Sequence, residues 1–319
     1  MSTRILDHAD VERLLPMSDC IEAMAEVLAS LARDELFNPL RFVISPPGDP
    51  SLMGLMPAHR TSPAPAYALK TLVIVPGNTA RGLDSHMGFV ALFDGETGEA
   101  RALMNAGAIT AIRTAAVSAV ATRLLERKGA RTLAILGAGI QGRSHLEAMR
   151  ALHDWDRVRV WSRTPGKMSD VDGVEEVASA EEAVRDADVV VTATSSSEPV
   201  LQRAWLKDGV HINAVGSSIP SARELDTATM AAASLFVDRR ESTLNEAGDY
   251  LFPMREGAIG PDHIRAEIGE LLIGAAAGRE SDGELTVFKS LGLAVEDLAA
   301  AELVLARAEA EDAGAVVSL

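Results

Sequence analysis

The chain has 319 residues, with 30 Lys and Arg set against 46 Asp and Glu, so its formal net charge is −16. Its 47% apolar content is enough for one large or two ordinary cores and excludes global disorder. The acidic surface repels phosphate backbones and anionic lipid; it argues against a nucleic-acid or membrane partner and leaves any anionic ligand to a local pocket.

Met1-Ser2-Thr3-Arg4 leads straight into a charged stretch and lacks the apolar run of a secretory signal. From Ser18 to Ala32, apolar residues at Ile21, Met24, Ala25, Leu28 and Leu31 predict an amphipathic helix with Ser18 as its N-cap. Cys20, the single cysteine, permits no internal disulfide, reads as a small buried hydrophobe and fits a reducing, cytoplasmic compartment. Between Asn38 and Gly98 the texture changes to short β-rich runs, Arg41–Ser45, Ser51–Met56, Tyr67–Val75 and Gly88–Phe93, broken by Pro and Gly turns. They predict an antiparallel or mixed sheet.

Two charges in this half are out of place. Both alternating faces of Tyr67–Val75 are apolar, so Lys70 has no solvent face and either meets an anion, lowers its pKa or snorkels from an edge strand. Ala108 to Lys128 reads as a long helix closed by Gly129, and Arg113 lies on its inward stripe with Ile109, Val117, Val120 and Leu124. A guanidinium there wants a carboxylate or phosphate, supplied by an internal acid or by a ligand. The same arginine, with Arg123, keeps the apolar window Ala106–Leu125 from reading as a membrane span. Arg41, beside Pro39 at the start of a strand, says less by itself.

Beyond the long helix the pattern becomes strand-helix alternation. Strands are predicted at Thr132–Leu136, Val158–Trp161, Val189–Ala193, His211–Val215 and Leu235–Asp238, with helices at Gln141–Leu152, Ala180–Asp186 and Ala222–Ala232 between them. The fold class is therefore α/β: a Rossmann dinucleotide-binding domain over 123–290 and a discontinuous α+β domain over 1–122 and 291–319, closed by a helix Leu293–Glu311. Gly137-Ala138-Gly139-Ile140-Gln141-Gly142 follows the first of these strands and matches GxGxxG at a strand-to-helix turn. Gly137 serves the turn, Gly139 lets the backbone approach a diphosphate, and Gly142 closes the helix on the sheet. The second strand ends in Ser162-Arg163-Thr164, without the acid that favours NAD, so NADP(H) is expected in preference to NAD(H). No spacing suggests a metal, and Asp226, before Thr-Ala-Thr, reads on its own as a helix cap.

Taken together, Asp94-Gly-Glu-Thr-Gly98, Ile109-Thr-Ala-Ile-Arg-Thr-Ala-Ala116, Gly137-Ala-Gly-Ile-Gln141, His211-Ile-Asn-Ala-Val-Gly216 with Arg223-Glu-Leu-Asp226, and Phe288-Lys-Ser-Leu-Gly-Leu-Ala294 resemble the ornithine cyclodeaminase/mu-crystallin family over nearly the whole chain. The resemblance implies that Arg41, Lys70 and Arg113 surround a substrate carboxylate and that Lys70 and Asp226 serve as catalytic groups. It also implies cofactor contacts from Ser85, Arg113, Gly137, Ala138, Gly139, Ile140, Gln141, Ser162, Arg163, Thr164, Thr194, Ala214, Val215, Gly216 and Ser217. Ser290 and Leu291 would line the substrate site, and the discontinuous domain would bind substrate and join a homodimer through its sheets. Members include cyclodeaminases, alanine dehydrogenases, ketimine reductases and a cofactor-dependent binding protein of the lens. This sequence departs from the cyclodeaminases in Ser162-Arg163, and between Ser45 and Met56 its one acid, Asp49, sits among prolines. A reductase of small cyclic ketimine acids is the expected activity, with cyclodeamination of ornithine, amino-acid dehydrogenation of the alanine type and cofactor-gated binding as alternatives.

Overall fold

The computed structural model describes residues 2–62, 64–83 and 86–318. The chain divides into two compact units, Met1–Arg113 with Gly292–Leu319 and Thr114–Leu291. The sequence puts the first break at 122/123; the contacts put it between Arg113 and Thr114, inside a continuous helix.

The first unit opens with β1 (Ser2–Leu6), α1 (His8–Leu14) and α2 (Met17–Ala32). Helix α2 begins one residue before the expected cap: Pro16 holds the N-cap position and the Ser18 hydroxyl donates to Asp19 instead. Proline's fixed φ starts a helix without a side-chain cap, which is why the serine is not needed. Strands β2 (Leu36–Phe37), β3 (Phe42–Ile44), β4 (Leu52–Arg60), β5 (Ala66–Ile74), β6 (His86–Asp94) and β7 (Ala100–Asn105) follow, and then α3 (Ala106–Leu125). Strands β4, β5, β6 and β7 form a continuous antiparallel run, and β1 adds to β7 in parallel, so the sheet is mixed. Register puts Ala66, Ala68 and Lys70 on the inward face of β5 and Tyr67, Leu69 and Val73 on the outward one. Helix α3 is apolar over 20 residues with 78% of its spanning-length window buried, as in a core helix of a folded domain.

The second unit is a parallel sheet in the order β10-β9-β8-β11-β12-β15-β13-β14. Its strands are β8 (Thr132–Leu136), β9 (Arg157–Trp161), β10 (Glu175–Glu176), β11 (Val189–Thr192), β12 (His211–Ala214), β13 (Ser234–Val237), β14 (Ile264–Glu267) and β15 (Thr286–Lys289). All pairings are parallel, and β8 stands between β9 and β11, which marks the reversal of strand order where doubly wound sheets bind ligands. Helices α4 (Ile140–Leu152), α5 (Ala180–Val184), α6 (Thr227–Ala232), α7 (Arg240–Glu246), α8 (Gly248–Arg255) and α9 (Ile268–Leu272) make the connections. The expected helix from Ala222 is shorter: residues 222–226 form a loop, and α6 starts only after Asp226. Strand β15 is absent from the sequence reading, yet it inserts between β12 and β13.

The chain then returns to the first unit as α10 (Ala294–Glu311) and β16 (Ala315–Ser318). Helix α10 packs on α2 and on the inward face of β4, β5 and β6, and β16 pairs antiparallel with β1.

The core of the second unit includes Leu136, Val190, Ile212 and Val287, all fully buried on adjacent strands. Leu136→Ala is expected to destabilise that unit by about 2–5 kcal/mol, read as a lowered denaturant midpoint with unchanged slope.

Candidate active site

In the first unit Lys70 and Arg113 are both buried, at 1% and 3% exposure, and each is matched by acids from the first turn of α10. Lys70 Nζ lies 2.7 Å from Asp297 Oδ2, and Arg113 Nε donates to Asp297 Oδ1 at 3.0 Å. The Arg113 guanidinium also reaches Glu296 Oε2 at 2.7 Å. Asp297 therefore holds both cations with one carboxylate. Desolvation, with the Arg113 charge behind it, pulls the Lys70 pKa down to about 8, and Asp297 limits the fall.

A third cation joins them. Arg41 donates to the Gly292 carbonyl at 3.2 Å, and its charge also depresses Lys70. Gly292 sits at φ +79°, and a Cβ there would press against the Arg113 guanidinium, so glycine serves both the turn and the close packing. Asn38 Oδ1 fixes the following segment by accepting from the Val295 N–H. Burial pushes the nearby Cys20 thiol up to about 12, which keeps it a protonated, unreactive core residue.

In the second unit the glycine-rich turn has the form a dinucleotide requires. Gly137 adopts φ +114°, and a Cβ on it would strike the Ala193 carbonyl. A Cβ on Gly142 would strike the Gly137 carbonyl, so this glycine sets how closely α4 meets β8. Gly139 is different: it is the N-cap of α4, no side chain caps the helix there, and nothing lies within 4 Å of a Cβ built on it. Open space in front of uncapped N–H groups is a cradle for a diphosphate. Ala138 is buried beneath it, while Ile140 is 61% exposed and Gln141 half-buried. Behind the turn His145 is buried and its pKa falls to about 4 through desolvation. Its Nδ1 faces the Gln141 carbonyl at 2.7 Å, so that nitrogen carries the hydrogen, and Nε2 accepts from Ser118 at 2.9 Å.

The turn after β9 presents Arg163 and Thr164 to solvent, with the Ser162 hydroxyl donating to the Thr164 carbonyl at 2.6 Å. Glu176 on β10 accepts from the Gly166 and Met168 N–H groups and so braces this turn. Thr194 follows the carboxyl end of β11, and Ala214 ends β12 with Val215, Gly216 and Ser217 after it, the position expected for nicotinamide contacts. Ser290 donates its N–H to Ala214 and Leu291 donates to Asp238 Oδ2, which brings both to the same strand ends. Ser85 lies outside the described residues.

Asp226 is placed as a cap. Its Oδ1 accepts from the Thr229 N–H at 2.9 Å, from the Thr229 hydroxyl and from the Arg203 N–H at 3.2 Å. These three bonds make Oδ1 the N-cap of α6 and do not involve Oδ2, so the cap and the acid/base role expected from the resemblance are compatible in one side chain. Sequence reasoning missed Glu296 and Asp297, the partners that make a buried Lys70 and Arg113 tolerable. The signal was present: Asp297 lies on the buried stripe with Ala301, Val304 and Ala308, the same test that singles out Arg113. Also missed were Glu224, Asp249 and Lys289, all buried in the second unit.

Gly139→Val fills the open cradle without a backbone penalty, because its φ is −82°. Thermal stability should stay within about 0.5 kcal/mol of the parent, as for a surface change. Nucleotide affinity, measured by calorimetric titration, should fall at least about tenfold.

Comparisons with known proteins agree with this geometry. Residues 1–312 match the model of the ornithine cyclodeaminase/mu-crystallin family. The chain is 43% identical over 274 residues to the ketimine reductase mu-crystallin of Mus musculus, covering 84% of each protein. It superposes with TM-score 0.94 and 35% identity on the Δ1-pyrroline-2-carboxylate reductase of Thermococcus litoralis in complex with NADH and L-proline, over 98% of this chain and 99% of that one. An archaeal alanine dehydrogenase dimer with bound NAD gives the same TM-score at 32% identity over 100% of both chains. With a turn built for a dinucleotide, a buried cationic cluster and a match along almost its entire length, the chain belongs to the ornithine cyclodeaminase/mu-crystallin family.

Proposed function

We propose that this protein is an NAD(P)-dependent oxidoreductase that reduces small cyclic ketimine acids, Δ1-pyrroline-2-carboxylate or Δ1-piperideine-2-carboxylate, to L-proline or L-pipecolate. The observation that carries the reading is the grouping of cations: the buried Lys70 and Arg113, held by Asp297 and Glu296, with the half-buried Arg41 close enough to depress Lys70. A substrate carboxylate is attracted to such a group, and a guanidinium recognises it with directed hydrogen bonds. The relatives named for ketimine and pyrroline-carboxylate reduction support the same substrate class.

The bound nicotinamide supplies the hydride that reduces the imine carbon. The remaining work belongs to side chains. Arg41 and Arg113 orient the carboxylate, and the Lys70 ammonium, held by Asp297, delivers a proton to the ring nitrogen. A lysine pulled down to about 8 gives up a proton near neutral pH far more readily than one in water. In this reading Lys70 is the proton donor, and Asp226, whose Oδ1 caps α6, is the second acid/base candidate. On the inward face of β4 stand Gly54, Met56 and Ala58, and Asp49 accepts from the Ser51 N–H in an exposed turn. Neither place offers an acid to a distal ammonium, which favours a cyclic imine over ornithine.

NADP(H) is the preferred cofactor in this reading, because the exposed Arg163 beside Ser162 and Thr164 is suited to a 2′-phosphate and the turn Ser162-Arg163-Thr164 holds no acid. The single buried thiol suits a reducing, cytoplasmic setting. A homodimer also belongs to the reading. The outward sheet face aligns Ile44, Met53, Val73 and Met87 across four strands and Phe42, Leu55, Thr71 and Phe89 beside them. Phe42 is 63% exposed, Met87 52% and Phe89 44%, a contiguous apolar patch suited to a second copy of the chain.

Purified protein should oxidise NADPH faster than NADH with either cyclic imine acid and should release no ammonia from ornithine with NAD. Ammonia release without net cofactor change would replace this reading with cyclodeamination. kcat for imine reduction should fall as pH climbs through about 8, because the protonated lysine that donates to the ring nitrogen is then lost. Lys70→Met should remove that inflection and lower kcat about 100- to 10,000-fold, the loss of a general acid. Phe42→Glu combined with Phe89→Glu should convert a dimer into a monomer in analytical ultracentrifugation; an unchanged dimer would place the interface elsewhere.

A further inference from the structure

Beneath the carboxyl ends of β11 and β12 lies a charged group that the proposed chemistry does not use. Glu224, Asp249 and Lys289 are each 0% exposed. Lys289 Nζ pairs with Asp249 Oδ2 at 3.0 Å and donates to the Ala214 carbonyl at 3.1 Å, so these two charges cancel. Asp249 Oδ1 accepts the N–H groups of Glu224 and Leu225 at 2.8 and 2.9 Å, fixing the loop that carries Glu224.

Glu224 itself meets only dipoles in its hydrogen bonds. Its Oε1 accepts from the Thr194 N–H at 2.6 Å and the Thr194 hydroxyl at 2.7 Å. Its Oε2 accepts from the Thr192 hydroxyl at 2.8 Å and the Gly216 N–H at 2.7 Å. Each oxygen holds one backbone N–H and one hydroxyl; these bonds and the Lys289 charge favour the carboxylate, working against desolvation and the Asp249 charge, which push its pKa up. Gly216 has no room for a side chain because a Cβ would crowd both Thr194 and Glu224. The three charges sum to −1, and the excess sits on Glu224.

Strands β11, β12 and β15 form the half of the sheet that holds the nicotinamide mononucleotide in a doubly wound fold. When hydride leaves a reduced nicotinamide for the imine carbon, the ring gains one positive charge, the C=N bond becomes single and nitrogen takes up a proton. We propose that the Glu224 carboxylate, buried and hydrogen-bonded only to neutral donors, is a positioning residue that also biases the bound cofactor toward its oxidised, cationic form and so favours hydride release. Its reach is electrostatic: in a buried setting a unit charge acts over many ångströms with little screening.

The proposal rests on the nicotinamide reading but not on the identity of the substrate. It is tested by calorimetric titration of the full-length protein with NADP+ and with NADPH, without substrate, for the parent and for Glu224→Gln, which keeps the shape and removes the charge. The ratio of Kd for the oxidised form to Kd for the reduced form should rise on the order of tenfold. An unchanged ratio, or equal weakening of both forms, would reduce Glu224 to a structural brace and overturn the proposal. If Glu224→Gln does not fold, Asp249→Asn reads the same quantity, since it leaves Lys289 uncompensated and should move the ratio in the same direction. If the parent binds neither nucleotide, the cofactor reading itself fails and the proposal falls with it. Binding that follows this pattern without imine reduction would fault only the substrate assignment.

Discussion

A lysine and an arginine inside a sheet-helix core are tolerable only if carboxylates arrive with them, and the first unit is arranged around that requirement. Helix α10 supplies Glu296 and Asp297 from its first turn, and the positive turn at Gly292 lets the Arg113 guanidinium lie against the backbone. Removing one partner from such a set leaves an uncompensated buried charge, at about 3–5 kcal/mol. The same arrangement is chemically useful. It gathers an ammonium and guanidinium groups in one place, the donors by which a carboxylate is recognised.

The second unit solves a different problem, that of bringing backbone close to backbone. Its turn after β8 depends on two glycines with no space beside them and one with open space in front. The sequence pattern GxGxxG contains all three without distinguishing their tasks. At the far strand ends, lacing replaces close approach: one carboxylate, Glu224, gathers donors from β11 and from the segment after β12, so two loops keep a fixed spacing.

Much of the organisation is legible in the sequence, for physical reasons that vary by element. The strands at residues 132–136 and 189–192 are continuous apolar runs, which a sheet covered on both faces demands, and their limits agree within a residue or so. Lys70 and Arg113 are legible because they interrupt apolar faces. Asp297 interrupts its helix's apolar stripe in the same way, but acids in the first turn of a helix are commonplace, so it and Glu296 pass for dipole partners. Strand β15 ends in a buried lysine and β16 is exposed throughout, so neither carries the alternation that announces a strand. Asp226 carries two readings: the local chemistry of an Asp before Thr-Ala-Thr describes a cap, which the hydrogen bonds of Oδ1 bear out, while the acid/base role rests on the resemblance alone.

The partition of the chain also sets an order of events during synthesis. Residues 114–291 form an uninterrupted unit whose strands can pair as soon as they leave the ribosome, whereas the unit that begins the chain needs 292–319. Until α10 has been translated, Lys70 and Arg113 have no counter-ions from Glu296 and Asp297, and β1 lacks its β16 neighbour. The nascent first unit therefore waits, with two cations that must stay hydrated and an unpaired strand edge, until the last helix emerges and makes its burial possible.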